Sequence, residues 1–293
     1  MSKITLLGGG LGQELIRRAK DAPTPLWSTQ VMIDHPRMVE GLHRDYFAAG
    51  ATIATTNTYA LHVDRLVDTP FKDKQSDLIT AALNEAKAAR TRADQRIAGS
   101  IGPLVASYRP ETHPDLETAI PLYADMARQL APHVDFLICE TVASVAHAEA
   151  ILTAARQTNV PVWLSVTLDD EDGTKLRSGE PVTNLSHLTP DAWLANCSAP
   201  EAMAAALEIF ATFGKPFGAY ANGFTEITKD FLKDKPTVDA LAAREDVTPA
   251  SYADTVLSWV NQGATIVGGC CEIGPDHIRE IARRLTAAGH TID

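Results

Sequence analysis

The sequence predicts an α/β fold, a closed (β/α)8 TIM barrel in a single domain spanning residues 1–293. Three observations predict it. Eight short apolar runs alternate with longer amphipathic stretches. Most of the short runs are continuously apolar, the pattern of strands buried on both faces. Glycines, cysteines and polar residues stand at the ends of those runs, where barrels of this class build their sites. An open, doubly wound sheet is the rival arrangement.

The strands are expected at 4–8, 51–57, 96–101, 136–140, 162–168, 193–197, 217–222 and 264–270. Helical faces fall between them, with apolar residues three and four apart. Val39, Leu42, Tyr46 and Phe47 form the first such face, and Leu78, Ala82, Leu83 and Ala86 the second. Ile120, Tyr123, Ala127 and Leu130 follow, then Val145, Ala148, Ile151, Leu152 and Ala155. Met203, Ala206, Leu207 and Phe210 succeed the sixth strand, and Tyr252, Val256, Trp259 and Val260 precede the eighth. Ile278, Ile281 and Leu285 close the series, behind Pro275 at a favourable helix start. Two polar excursions, 169–181 and 225–249, lie on the side where a barrel places its site, the second with helical potential around 238–243.

With 45% hydrophobic and 22% charged residues the chain is an ordinary globular composition. A formal net charge of -11, with no basic cluster interleaved with aromatics, argues against nucleic acid as a partner. No run approaches the length of a membrane helix, and the N-terminal apolar run is too short for a signal peptide. Four cysteines in a chain of this size do not form a disulfide framework, so a reducing cytoplasm is the expected setting. A homo-oligomer is compatible with all of this.

The strand ends carry the chemistry. Gly268-Gly269-Cys270-Cys271 ends the eighth strand, and Cys197 follows the sixth. Adjacent cysteines are poorly placed to bond each other but can grip one soft ion. Three thiolates with one position open point to a catalytic Zn2+. Gly8-Gly9-Gly10-Leu11-Gly12 after the first strand reads either as a backbone cradle for an anion or as a tight turn. Asn57 lines a pocket or caps a helix. Glu140, at the tip of the fourth strand, meets a substrate ammonium or a basic side chain. Asn222 reaches metal or substrate, or holds a turn at positive φ. Cys139 is a core residue by strand alternation, and His277 belongs to a helix start.

These motifs resemble those of the homocysteine S-methyltransferase family over nearly the whole chain. The matching segments are Gly9-Gly10-Leu11-Gly12 with Glu14-Leu15, Ala49-Gly50-Ala51 with Thr56-Asn57-Thr58-Tyr59, and Gly99-Ser100-Ile101-Gly102-Pro103. Glu140-Thr141, Asn196-Cys197-Ser198 and Gly268-Gly269-Cys270-Cys271 with Pro275 and His277-Ile278 complete them. The resemblance implies a zinc ion on Cys197, Cys270 and Cys271, with the acceptor thiol as fourth ligand. It implies that Gly9 and Gly10 receive the acceptor carboxylate, that Glu140 binds its amine, and that Asn222 neighbours the open zinc position. No other catalytic residue is implied. The expected reaction moves a methyl group from S-methylmethionine or S-adenosylmethionine to homocysteine, or to a related small thiol or selenol, giving methionine from homocysteine. A thiol-binding subunit of a corrinoid-dependent assembly is the alternative.

Three departures touch the substrate rather than the metal. Gly8 stands where the family has an aspartate, Ala221 where it has proline, and Glu272 where arginine is frequent.

Overall fold

The computed structural model describes residues 2–22, 24–225, 227, 232–233 and 241–293. Eight parallel strands form the barrel: β1 (Lys3–Leu6), β2 (Ile53–Thr55), β3 (Arg96–Ile101), β4 (Phe136–Val142), β5 (Val162–Val166), β6 (Ala192–Asn196), β7 (Phe217–Tyr220) and β8 (Ile266–Val267). Each pairs with the next, and β8 returns to β1 through Thr5 opposite Ile266. The ring closes between β1 and β2 through a Leu7–Ile53 bridge and the Thr52 N–H donating to Leu6 O at 2.8 Å. A short ninth strand, β9 (Thr291–Ile292), pairs with Lys3 and Ile4 on the outer side of β1. The sequence pattern does not signal it, because two residues carry no periodicity.

The predicted helical faces are α3 (Met38–Ala49), α5 (Gln75–Ala89), α6 (Leu116–Leu130), α7 (Val145–Ala155), α8 (Met203–Ala211), α9 (Pro249–Asn261) and α10 (Pro275–Ala287). Three more precede or interrupt them: α1 (Gly12–Ala19), α2 (Ser28–Asp34) and α4 (Val63–Leu66). No α-helix joins β5 to β6. A loop closed by Leu168–Leu176 and Lys175–Pro181 bridges, then a 3-10 turn at Val182–Leu185, takes its place. Most of the helical potential around 238–243 lies outside the described residues.

Strand alternation divides the core in two. Leu7, Ile53, Ile138, Trp163, Leu194 and Ile266 point inward, with Phe136 stacked on Trp163 at 3.9 Å between centroids. They fill the barrel, so any cavity must lie above them at the C-terminal strand ends. The outward residues, Cys139 among them, pack under the helices. Two helix starts that flank the site are capped: the Ser144 side chain accepts from His147 N, and Thr248 and Ser251 form a reciprocal box.

Gly218 is the tightest point between β7 and β8. A Cβ there would lie 1.6 Å from Ile266 O. Gly218→Ala must push apart two paired strands, and is expected to destabilise the fold by at least about 1–3 kcal/mol. Urea denaturation with an unchanged midpoint would count against this reading of the seam.

Candidate metal centre and substrate pocket

β6 and β8 flank β7, and each is followed by backbone that bends into the barrel mouth. Cys197 adopts φ 50° and Glu272 φ 66°, left-handed values that few non-glycine residues take. Cys197 N–H donates to Tyr220 O at 3.3 Å, and Cys270 N–H to Ala221 O at 2.9 Å. The strand between them thus holds both cysteines. Gly268 and Gly269 serve the chain itself: added Cβ atoms would lie 2.6 Å from Leu7 Cβ and 2.1 Å from Ile273 Cγ2.

The three sulfur atoms of Cys197, Cys270 and Cys271 all lie within 4.8 Å of one another. Cys271 Sγ is 3.9 Å from Cys197 Sγ and 4.0 Å from Cys270 Sγ. Two thiolates sharing a tetrahedral zinc at 2.3 Å would sit about 3.8 Å apart. The donor set fits such an ion. One difference from the sequence expectation is covalent. Cys197 and Cys270 are joined as a disulfide, with Cα atoms 5.7 Å apart, whereas Cys271 and Cys139 are free thiols. Adjacency rules out the 270–271 bond, but not a bond between the loops that follow β6 and β8, which meet over the end of β7. Reduction by two electrons frees both sulfurs as ligands. Burial pushes the Cys271 thiol up to about 12, so without a cation it stays protonated near neutral pH.

Below the sulfurs lies a pocket lined by Gly9, Gly10, Asn57, Glu140 and all three cysteines. Glu140 is the one acid on its wall, and no Lys, Arg or His is among the described lining residues. The alternative of a basic side chain paired with Glu140 is not met among the described residues. Instead its Oε1 accepts from the Ser100 hydroxyl and its Oε2 from the Tyr220 hydroxyl at 3.0 Å. Burial raises its pKa, while the two hydroxyls pull it partly back. Its strand is irregular there: the β4–β5 register shifts between Cys139 and Val142, and Thr141 takes φ 60°. Asn196 fixes that bulge, its Oδ1 accepting from Thr141 N at 2.9 Å and from Ser165 Oγ at 2.8 Å.

The glycine loop is pressed against the cysteine loop. A Cβ on Gly9 would lie 1.9 Å from Ile273 O, and one on Gly10 2.6 Å from Cys270 O. The Gly10 amide donates to Ile273 O at 3.0 Å, so it is not a bare cradle amide. The Gly9 and Leu11 amides have no partner among the described residues. Asn57 is buried on the wall, with its amide committed to Ser28: Oδ1 accepts from Ser28 Oγ at 2.6 Å and Nδ2 donates to Ser28 O at 3.1 Å. Asn222 does not reach the wall. It is buried, without positive φ, and its Oδ1 accepts from Phe224 N at 3.3 Å. His277 also stays structural, its Nε2 3.0 Å from Val247 O.

Sequence reasoning misses two features of the pocket. Trp27, Tyr59 and Tyr108 form an aromatic wall, with Trp27 and Tyr59 stacked at 6.3 Å. Trp27 and Tyr108 come from loops, which carry no periodic signal. Gln13, from the first turn of α1, lies beside Cys271. It could have been suspected from its place directly after the glycine run.

The family model described as homocysteine S-methyltransferase matches residues 5–285. The homocysteine S-methyltransferase of Escherichia coli (strain K12) is 28% identical, covering 96% of this chain and 95% of the relative. A selenocysteine methyltransferase of Astragalus bisulcatus is 26% identical, covering 97% and 93%. The metallated form of the homocysteine methyltransferase MmuM from Escherichia coli superposes with a TM-score of 0.79 at 25% identity, covering 97% of this chain and 96% of that one.

Proposed function

Since the chain belongs to the homocysteine S-methyltransferase family and is a methyltransferase, we propose that it moves a methyl group from a small sulfonium donor to homocysteine, or to the selenol of selenocysteine. Zinc on Cys197, Cys270 and Cys271 is part of this proposal. The observation that carries it is the convergence of three sulfurs from two strand ends on the rim of a pocket with one buried carboxylate.

The chain divides the work among its residues. The reduced cysteines hold the ion, which when bound supplies the acceptor as a thiolate at neutral pH. Glu140 receives the acceptor ammonium, and the Gly9 and Leu11 amides receive its carboxylate. The inward-pointing floor and the aromatic wall exclude water. The acceptor sulfur then forms the new carbon–sulfur bond as the donor's carbon–sulfonium bond breaks. The released electron pair neutralises the sulfonium, and the acceptor's thiol proton has already passed to solvent. No general base is needed beside the reacting atoms. S-methylmethionine and S-adenosylmethionine both have the required cationic sulfur, and the face of an aromatic ring attracts such a cation.

Trp27→Ala is therefore expected to raise the donor KM by about 2- to 30-fold, from about 0.5–2 kcal/mol of cation–π attraction, with the homocysteine KM little changed. Equal changes in both would assign Trp27 to general packing. The reading as a whole is tested on the isolated, reduced chain by elemental analysis joined to a panel of the two donors with homocysteine and selenocysteine. Stoichiometric zinc and methyl transfer are expected. Absence of both sinks the proposal. The relatives have comparable lengths and are named as methyltransferases, which does not favour the corrinoid-subunit alternative.

A further inference from the structure

The acceptor's ammonium has three N–H donors, and the pocket wall offers it one carboxylate whose two oxygens already accept hydroxyl hydrogen bonds. Gly8, also on the wall, contributes no side chain. Gln13 Oε1, on the same wall, is buried and has no hydrogen-bond partner among the described residues. An orphaned carbonyl oxygen costs about 1–3 kcal/mol, so its retention calls for a ligand. Gln13 shares that wall with Cys270 and Cys271.

We propose that Gln13 is a specificity-determining residue for the acceptor: its Oε1 accepts a hydrogen bond from the ammonium of a thiol amino acid whose sulfur docks beside Cys271. This rests on the thiol-acceptor reading above and deepens it. The geometry suits the substrate class. In homocysteine four bonds separate sulfur from nitrogen, a span that lets one molecule reach from the cysteine cluster to a side chain on the same pocket wall. Gln13 and Glu140 then share the ammonium, one by a neutral dipole and one by charge. An acid at position 8 would be resisted: a Cβ there lies 3.3 Å from the Tyr46 ring, and that ring is fixed by its hydroxyl donating to Gly10 O at 2.8 Å.

The test compares binding of homocysteine with that of γ-mercaptobutyrate, its amine-free analogue, to the reduced zinc-loaded protein by calorimetry. Zinc affinity is measured separately by chelator competition. In Gln13→Ala the preference for homocysteine over the analogue is expected to fall about ten- to a hundredfold, with the analogue bound as before. Gln13→Glu keeps an acceptor oxygen and is expected to retain the preference, even where its charge weakens zinc binding. An unchanged preference in Gln13→Ala overturns the inference, as does equal loss for both ligands or no preference in the wild-type protein. Binding without turnover would instead sink the methyl-transfer reading and leave the role of Gln13 legible.

Discussion

Cys270→Ser is expected to lose the bound metal and to lower methyl transfer by at least about a thousandfold while the barrel stays folded. The first effect follows from the ligand count. Three sulfurs converge from two strand ends, and a serine hydroxyl is a much harder, less readily ionised donor than a thiolate. The second follows from the acceptor. A free thiol near neutral pH is only a few per cent thiolate, and loss of the cation also removes the ion that orients it. The third follows from position. Cys270 is partly exposed at the rim, while the inward core lies beneath it and the outward core under the helices. The variant also loses the Cys197–Cys270 bond, so its stability is best compared with that of the reduced wild type. Metal analysis, circular dichroism and turnover on the same preparation check all three. Full zinc occupancy with normal turnover would refute the ligand assignment. Metal uptake displaces thiol protons, and burial holds the Cys271 proton tightly, so apparent zinc affinity should weaken as pH falls.

The same cysteines show why some of the site was readable before any coordinates. Ligand chemistry is written in residue type, and strand ends are marked by the apolar runs before them. Cys270-Cys271 after 264–267 and Cys197 after 193–196 needed only the barrel to bring them together. The eight strands were legible for the same reason, since burial on both faces forces continuous apolar runs. Boundaries were less so. The last strand, expected at 264–270, is paired only at Ile266–Val267, because the chain turns at Gly268-Gly269 to form the cysteine loop. α1 was missed because its apolar face is short, with Leu15 buried and Ile16 and Ala19 only partly buried against the core within eight residues. Side-chain direction at irregular backbone was the least legible. Asn222 and Glu140 both stand at strand ends, yet one turns to its own loop and the other into the pocket. The register shift and the positive φ of Thr141 aim Glu140, and neither is visible in a string of residues.

Glu140→Gln is expected to reduce kcat/KM for homocysteine by about a hundredfold to several thousandfold, mostly through KM. The variant keeps the size of the side chain and both hydroxyl neighbours, Ser100 and Tyr220, but removes the charge that would face the ammonium. Breaking a buried ion pair by neutralising one partner costs about 3–5 kcal/mol, and each 1.36 kcal/mol is a factor of ten. The amine-free analogue should lose nothing, which separates this loss from a general distortion of the pocket. The pH dependence has two opposite signs. In the free protein burial raises the Glu140 pKa, so its contribution to stability is fully present below the unfolded carboxylate pKa and is lost as pH rises through the folded value. Ammonium binding needs the charged form, so homocysteine should bind more tightly as pH rises through that same folded value. Glu140→Gln should abolish the stability trend and the carboxylate's share of the binding trend, leaving only the rise that loss of the acceptor's thiol proton gives to both proteins, and should be more stable than the wild type above the folded Glu140 value. An acceptor affinity whose pH dependence is the same in wild type and Glu140→Gln, or a Gln variant with unchanged KM, would remove Glu140 from amine recognition and leave it as a structural tie between β3, β4 and β7.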